Sequence, residues 1–552
     1  MDRRRESAQR TRSMSRRSFL HAGVAGGAGL YALASGMAAR KAETQAASTQ
    51  PKAGGTLIWG MESEIGPLDV QNVGGWVTWR VRRQIYEPLV THDLTKEGTL
   101  SPPIVPALAA SWEVSPDGRV YTFHLREHVK FHDGTPFNAE AVKVNLDRAL
   151  DEQSPYFYAQ LSTLQKRFIY QYTESYKVLD PLTIQITNRV PFPDFLFQMA
   201  ESGYAAFVSP TALQKWGNTD LAEHPVGTGP FRLVEHVRGQ KVVLERHPDY
   251  WGRKPYLNRI IFRPLPEAAS RVVALQTGEA DLIMVPPPDS IAQLKKAGFI
   301  VHQSPTAHIW YWCLCMNKEP LKDVRVRRAI QHAIDKEGLA RDLMQGTVLP
   351  AYQMHAPGAP AHDPQFKMYE YNPAKARQLL AEAGYPHGLK FTWMTSVEGS
   401  GQLMPVPITE WIQRDLRKVG IEIEIAAYEW QSYLGMYAVR CEKSDSWQMS
   451  SGEASDYWLY KVMHSKYNTA QFPRSYYTNA EIDTLLDRAA RELDDQLRHT
   501  LYRQANRLVM EDAAFVPIVH DLAPVVYHAK VKGFVHTALE SFDLTTLWLD
   551  AS

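Results

Sequence analysis

The sequence predicts an α/β chain built of two or three lobes. Once a basic, Gly/Ala-rich leader is set aside, about 510 of the 552 residues remain, more than one hydrophobic core supports. Helical and strand periodicities alternate along the whole length, the pattern of α/β lobes rather than of separate helical and sheet parts. The 44% hydrophobic content suits a globular chain, and nothing beyond the leader reads as a membrane span.

The leader comes first. Residues 1–39 hold seven arginines against Asp2 and Glu6, followed by a weakly apolar run from Phe19 to Ala39. Ser15-Arg16-Arg17-Ser18-Phe19-Leu20 fits a twin-arginine export signal, with Arg16 and Arg17 as the signal pair and small residues at Ala38–Ala39 or Ala46–Ala47 for cleavage. A basic tail with a membrane anchor is the alternative, but five glycines, Ser35 and His21 make the run poor for spanning a bilayer. No cysteine lies near it, so attachment through a lipidated N-terminal Cys is not expected, and the mature chain is placed in the periplasm. Removing residues 1–39 turns the formal charge from +1 to about −4, which offers no footprint for nucleic acid.

A linker over 40–53 leads to the strand pattern Gly54-Gly55-Thr56-Leu57-Ile58-Trp59-Gly60. The stretch from Pro106 to Arg148 then sets a strand with Tyr121, Phe123 and Leu125 on one face and Val120, Thr122, His124 and Arg126 on the other. Turns flank it at Ser115-Pro116-Asp117-Gly118 and His132-Asp133-Gly134-Thr135-Pro136. A helix follows with Asn138 as N-cap and Val142, Leu146, Ala149 and Leu150 as its apolar stripe. Further strands are read at Thr183–Thr187, Lys241–Glu245, Lys390–Trp393 and Ile421–Ile425. Helices are read over 324–335 with Asp323 as cap, over 373–383 with Asn372 as cap and Pro373 at its start, and after Asn479 and Asp494. Trp310 and Trp312 share one face of an apolar strand and are expected in the core.

Cys313 and Cys315 are too close on one strand for an unstrained disulfide, so these two and Cys441 are expected as buried thiols. No catalytic signature occurs: H-E-x-x-H, G-x-S-x-G and Walker A are all missing, so no catalytic residue, metal or cofactor is expected. Gly227-Thr228-Gly229 precedes Pro230 and reads as a tight turn, not a phosphate loop. His124 and His128 have a zinc spacing only on a helix, and His124 lies in a strand pattern.

The wording of Pro106–Arg148 closely resembles the family 5 extracytoplasmic solute-binding proteins of ABC importers. Pro225-Val226-Gly227-Thr228-Gly229-Pro230-Phe231, Asp249-Tyr250-Trp251-Gly252, Ala274-Leu275-Gln276-Thr277-Gly278-Glu279-Ala280-Asp281, Val324–Ile330 and Asn372–Leu380 continue the resemblance in order. It implies a bilobal periplasmic-binding-protein-like (type II) fold with a third domain and a hinge. Lobe I would comprise 54–88, 201–300 and 512–552, the extra domain 89–200, and the opposing lobe 301–511. It further implies a monomeric receptor that closes on a peptide-like solute and hands it to a permease driven by a separate ATPase. A nickel chelate, opine or oligosaccharide as solute, or a signalling role on the same fold, are the alternatives; a secreted hydrolase would need a nucleophile and base that the sequence lacks.

Resemblance also points to the cleft. Trp76 after the first strand, Tyr428 and Trp430 after the Ile421–Ile425 strand, and Tyr457 and Trp458 fall where the family holds its ligand. In dipeptide receptors of the family a nearby loop carries Gly-Trp, an acid that pairs with the ligand's ammonium group, and then an Asp-Pro pair. Here the loop reads Ser450-Ser451-Gly452-Glu453-Ala454-Ser455-Asp456-Tyr457-Trp458, with Ser for Trp, Glu for Asp and Tyr for Pro. By this alignment Glu453 or Asp456 is expected to hold a cationic group of the ligand.

Overall fold

Two large sheets, each drawing strands from distant parts of the chain, set the architecture of this computed structural model, which describes residues 50–70, 75–201, 203–436, 439–468, 475–539 and 541–550. The export signal with Arg16 and Arg17, and Gly74, lie outside the described residues.

The first sheet has seven strands in the order Ile300–His302, Val525–Tyr527, Leu282–Met284, Thr56–Met61, Arg259–Pro264, Lys241–Arg246 and Phe231–Val237. Thr56–Met61 lies at its centre, parallel to both neighbours. Leu57, Trp59 and Met61 alternate into one face, where Val77, Val81 and Ile85 of the helix Trp76–Ile85 cover them. Leu275 of the helix Ala268–Thr277 packs with Ile283 and Val526 in a separate cluster.

The Gly227-Thr228-Gly229 turn and the Tyr250-Trp251 pair converge here on one buried carboxylate. Glu87 accepts hydrogen bonds from Thr228 Oγ1 (2.8 Å), Tyr250 Oη (2.7 Å) and Trp251 Nε1 (2.8 Å). Gly229 N–H caps the carbonyl of Ile85 at 2.9 Å. A Cβ on Gly227 would sit 2.1 Å from that same carbonyl oxygen, so the turn needs glycine for close approach.

The extra domain is a four-stranded antiparallel sheet in the order Ala109–Val114, Val120–Leu125, Thr183–Asn188 and Thr173–Asp180. Tyr121, Phe123 and Leu125 are buried as their alternation requires, against Val142 and Leu146 of the helix Ala139–Leu150. Asn138 caps that helix by accepting from Ala141 N at 2.9 Å. Near its end Arg148 forms a fully buried ion pair with Asp69 (2.7 Å), tying the extra domain to the loop after the first strand.

The second sheet has six strands: Val348–Pro350, Val516–Asp521, Ile309–Leu314, Ser446–Ser451, Leu389–Ser396 and Ile421–Tyr428. Trp310 and Trp312 are fully buried as expected, and Trp312 stacks on Trp393 with ring centres 4.0 Å apart. The helix expected over 324–335 spans Val324–Ala333, with Asp323 accepting from Arg325 N at 2.8 Å; Ile334 is extended and stops it. Asn372, Asn479 and Asp494 cap Pro373–Glu382, Ala480–Ala489 and Asp495–Glu511.

Two expectations change. Val516–Asp521, placed by the resemblance with the first lobe, pairs with Ile309–Leu314 and Val348–Pro350 in the second sheet, and Ile300–His302 pairs in the first. Each needs partners for its backbone N–H and C=O groups and finds them on those sheets. The chain therefore crosses between sheets over 303–308 and 522–524. The crossings are joined where Ser304 N donates to Leu522 O (3.0 Å) and Thr306 N to Asp521 O (3.1 Å). Second, Cys315 and Cys441 form a disulfide, with Cα atoms 5.6 Å apart across 126 residues, and Cys313 is buried outside it. The antiparallel pairing of Ile309–Leu314 with Ser446–Ser451 brings the short helix Arg440–Lys443 beside Cys315, which local spacing does not reveal.

Burial sets a pH dependence. It lowers His92 and His520 to about 3, and lowers His355 as well, although Asp456 opposes the shift there. The unfolded chain protonates these imidazoles near pH 6.5, so their stabilisation is complete above that pH and lost as the pH falls toward 3. Each fully coupled histidine contributes about 1.4 kcal/mol per pH unit in that window. Burial raises Glu87 to about 7, which gives the opposite sign between about pH 4.5 and 7. Because the histidines outnumber it, the urea midpoint is expected to fall between pH 7 and pH 5. An unchanged midpoint would contradict neutral burial of these rings.

Candidate ligand-binding site

Between the two sheets lies a cavity of about 310 Å³, within the range of small-molecule sites. Seven aromatic rings line it: Trp76, Trp79, Phe168, Tyr204, Tyr311, Trp430 and Trp458. Four of the rings come from the opening turns of helices. Trp76 opens the helix Trp76–Ile85, and Trp79 follows one turn later with its ring edge-on at 5.1 Å. Trp430 opens the helix Trp430–Gly435, whose N-terminus is capped by Glu429 through Gln431 N (2.9 Å) and Ser432 N (3.0 Å). Trp458 opens the helix Trp458–Met463.

Contacts cross the cleft beside these rings. Trp76 Nε1 donates to His308 Nε2 at 2.8 Å, and His308 Nδ1 lies 3.0 Å from Ser450 Oγ. An acceptor role at Nε2 puts the proton of a neutral His308 on Nδ1, so Ser450 Oγ accepts it. Val77 N donates to Ser400 Oγ at 3.2 Å. The first-lobe helix is thus pinned to the second lobe at its first turn, where its N–H groups lack intrahelical partners.

Of the seven residues expected to meet the ligand, Trp76, Trp430, Glu453 and Trp458 line the cavity. Tyr428, Asp456 and Tyr457 do not line it. Tyr428 ends an edge strand, paired with Ser396. The Tyr457 ring is fully buried beside Phe192 and Tyr460, and its hydroxyl bonds Gln171 of the extra domain. Asp456 lies behind the wall, accepting from His499 Nδ1 (2.7 Å) and Ala361 N (3.3 Å), with His355 Nδ1 at 3.4 Å.

Glu453, which lines the cavity, has partners of its own. Its carboxylate is held by Lys461 from the first turn of the following helix and lies 3.4 Å from Gln198 Nε2. Lys461 Nζ donates in turn to Gln198 Oε1 at 2.7 Å. Both acids proposed to bind a ligand cation therefore have partners within the protein. An acid drawn into a low-dielectric wall needs a counter-charge, and here the chain supplies it.

Sequence reasoning missed Trp79, Phe168, Tyr204, Tyr311, Gln402 and Lys461, which also line the cavity. Trp79 was accessible, since Trp76 and Trp79 share a helix face at i, i+3. Tyr311 also had a signal, as it points opposite to Trp310 and Trp312 on their strand. Phe168 and Tyr204 come from the extra domain and the following loop, and carried none. Among the described residues, no group of three His, Cys, Asp or Glu side chains could hold a metal ion, and no helix is long and apolar enough to cross a membrane.

The family described as "Bacterial extracellular solute-binding proteins, family 5 Middle" matches residues 103–482, more than half of the chain. The chain belongs to this family. As a family 5 solute-binding protein, it is the extracytoplasmic binding component of an ABC importer. Among its relatives are heme-binding protein A of Haemophilus influenzae, 30% identical over 82% of this chain and 85% of that protein, and glutathione-binding protein GsiB of Escherichia coli, 30% identical over 87% and 91%. Its fold matches the periplasmic binding protein DppA of Helicobacter pylori in complex with the peptide STSA, with a TM-score of 0.81 and 29% identity over 90% of this chain and 98% of that one. The family 5 protein therefore has the bilobal type II periplasmic-binding fold, and its aromatic cavity lies between the lobes.

Proposed function

We propose that this chain is a periplasmic receptor that captures a peptide-like solute between its lobes and delivers it to a permease without chemical change. The aromatic-lined cavity carries the reading. Rigid rings give large contact area at little conformational cost and tolerate varied side chains, and the volume suits a small solute rather than a protein segment. The relatives named for glutathione and the neighbour bound to a peptide support the same class. Export through Arg16 and Arg17 in the twin-arginine signal, and action as a monomer, complete the proposal. Lobe I would then comprise 54–88, 201–302 and 522–552, the extra domain 89–200, and the second lobe 303–521.

Ligand contacts that bridge the lobes favour the closed form by their differential energy. Trp76, Trp430 and Trp458 are the proposed contacts. Trp430→Ala is expected to weaken binding of the endogenous solute ten- to a hundredfold, read by calorimetry; unchanged affinity would remove it from the site. Mass spectrometry of the solute released when periplasm-purified protein is denatured tests the class. A peptide is expected, and a metal chelate, opine or sugar would overturn the peptide reading.

A further inference from the structure

We infer that Lys461 is a resident counter-ion, so the solute presents no positive charge to the Glu453 wall of the cavity. This rests on the receptor reading above and narrows its substrate class. Three charged side chains line the cavity among the described residues: Glu64, Glu453 and Lys461. Glu64 is exposed and takes the N–H of Gly239 at 3.0 Å, so solvent screens it. Glu453 and Lys461 face each other with side chains 18% and 3% exposed. Lys461 Nζ also lies 5.2 Å from the Phe168 ring centre and donates to Gln198, so its charge is satisfied on several sides.

A buried pair of this kind is costly to break by removing one partner, because the other charge is left uncompensated. A ligand ammonium arriving at Glu453 would have to displace Lys461 into an aromatic wall, or lose its own hydration beside a carboxylate already neutralised. Neither is favourable, whereas a neutral amide, alkyl or carbonyl group needs no counter-charge there. Gln198 lies in the helix Phe195–Glu201, while Glu453 and Lys461 belong to the opposing lobe. The pair and its amide partner therefore close this end of the cavity without help from a solute cation.

The test uses a near-isosteric pair, alanyl-phenylalanine and its des-amino analogue propanoyl-phenylalanine, titrated into the full mature protein. Wild type is expected to bind the des-amino compound at least as tightly. Lys461→Met exposes an unpaired Glu453 and is expected to reverse this to at least tenfold preference for the free amine. Lys461→Met combined with Glu453→Gln removes both charges and is expected to show no such reversal, which guards against a folding artefact. Tenfold or greater wild-type preference for alanyl-phenylalanine that disappears in Glu453→Gln would overturn the inference. Should neither compound bind wild type, these dipeptides are excluded as solutes, and the released-solute measurement tests the peptide class. A crystal structure with the endogenous solute then decides this point separately: Lys461 on Glu453 is expected, and a solute cation there refutes it.

Discussion

Gly452→Ala is expected to lower solute affinity at least tenfold and to destabilise the second lobe. A Cβ at this position would lie 1.9 Å from the carbonyl oxygen of Ala307 and 2.6 Å from its carbon, inside any allowed contact. Ala307 belongs to the crossing segment 303–308, whose backbone is anchored to Leu522 and Asp521, so the carbonyl has little room to retreat. The loop must lift instead. Doing so separates Ser450 from His308 and draws Glu453 away from Lys461 and Gln198, three contacts that shape the cavity. Overpacking of this severity typically costs about 1–3 kcal/mol, or more where backbone is struck. Gly435→Ala is the control: nothing lies within 4 Å of its Cβ position at the end of the helix Trp430–Gly435, and alanine is the better helix former. Calorimetric titration and thermal unfolding of the two variants check the contrast. Equal affinities would show that the loop is not held against the crossing segment.

Loss of the Cys315–Cys441 disulfide is expected to be the largest stability effect of a single substitution that leaves the cavity wall untouched. Closing a loop across 126 residues restricts the unfolded chain by roughly 5 kcal/mol in the chain-entropy treatment, and native disulfides commonly deliver about 2–5 kcal/mol. Cys441 lies in a short helix whose Arg440 guanidinium sits between the rings of Tyr433 and Trp447, 4.6 Å from each centre. Cys441→Ser should therefore lower the guanidinium midpoint of the second lobe and loosen the edge that carries Trp430. Wild type in dithiothreitol should follow the variant, which separates loss of the bond from the effect of the serine. A variant as stable as oxidised wild type would mean that the covalent link adds nothing.

Much of the fold was legible because its determinants are local. Asn138, Asp323, Asn372, Asn479 and Asp494 announce helix starts through a side-chain acceptor beside unpaired N–H groups, and each cap occurs where expected. Tyr121, Phe123 and Leu125 report their face of the sheet through a two-residue period. What local pattern could not carry was the partner of a strand or of a charge. The sheet to which Val516–Asp521 belongs is set only by its pairing with Ile309–Leu314.

The candidate site divides along the same line. Trp76, Trp430 and Trp458 were legible only through the resemblance, which places the family's cleft at those positions, and each opens a helix at the cavity. Tyr457, next to Trp458, turns the other way into the core, as neighbours at a helix start do. Glu453 lines the cavity as expected of a loop acid, but its pairing with Lys461, eight residues on, and with Gln198, 255 residues earlier, could not be read from the loop.

By itself the sequence determined the family, the order of helices and strands, and the aromatic character of the cleft, since these rest on periodicity, caps and motif wording. Tertiary structure alone decided which cysteines join, which sheet a strand enters and which charges pair. Those outcomes depend on through-space proximity between segments up to hundreds of residues apart. A carboxylate in a loop promises a cation, and only the folded chain shows that the cation is its own lysine.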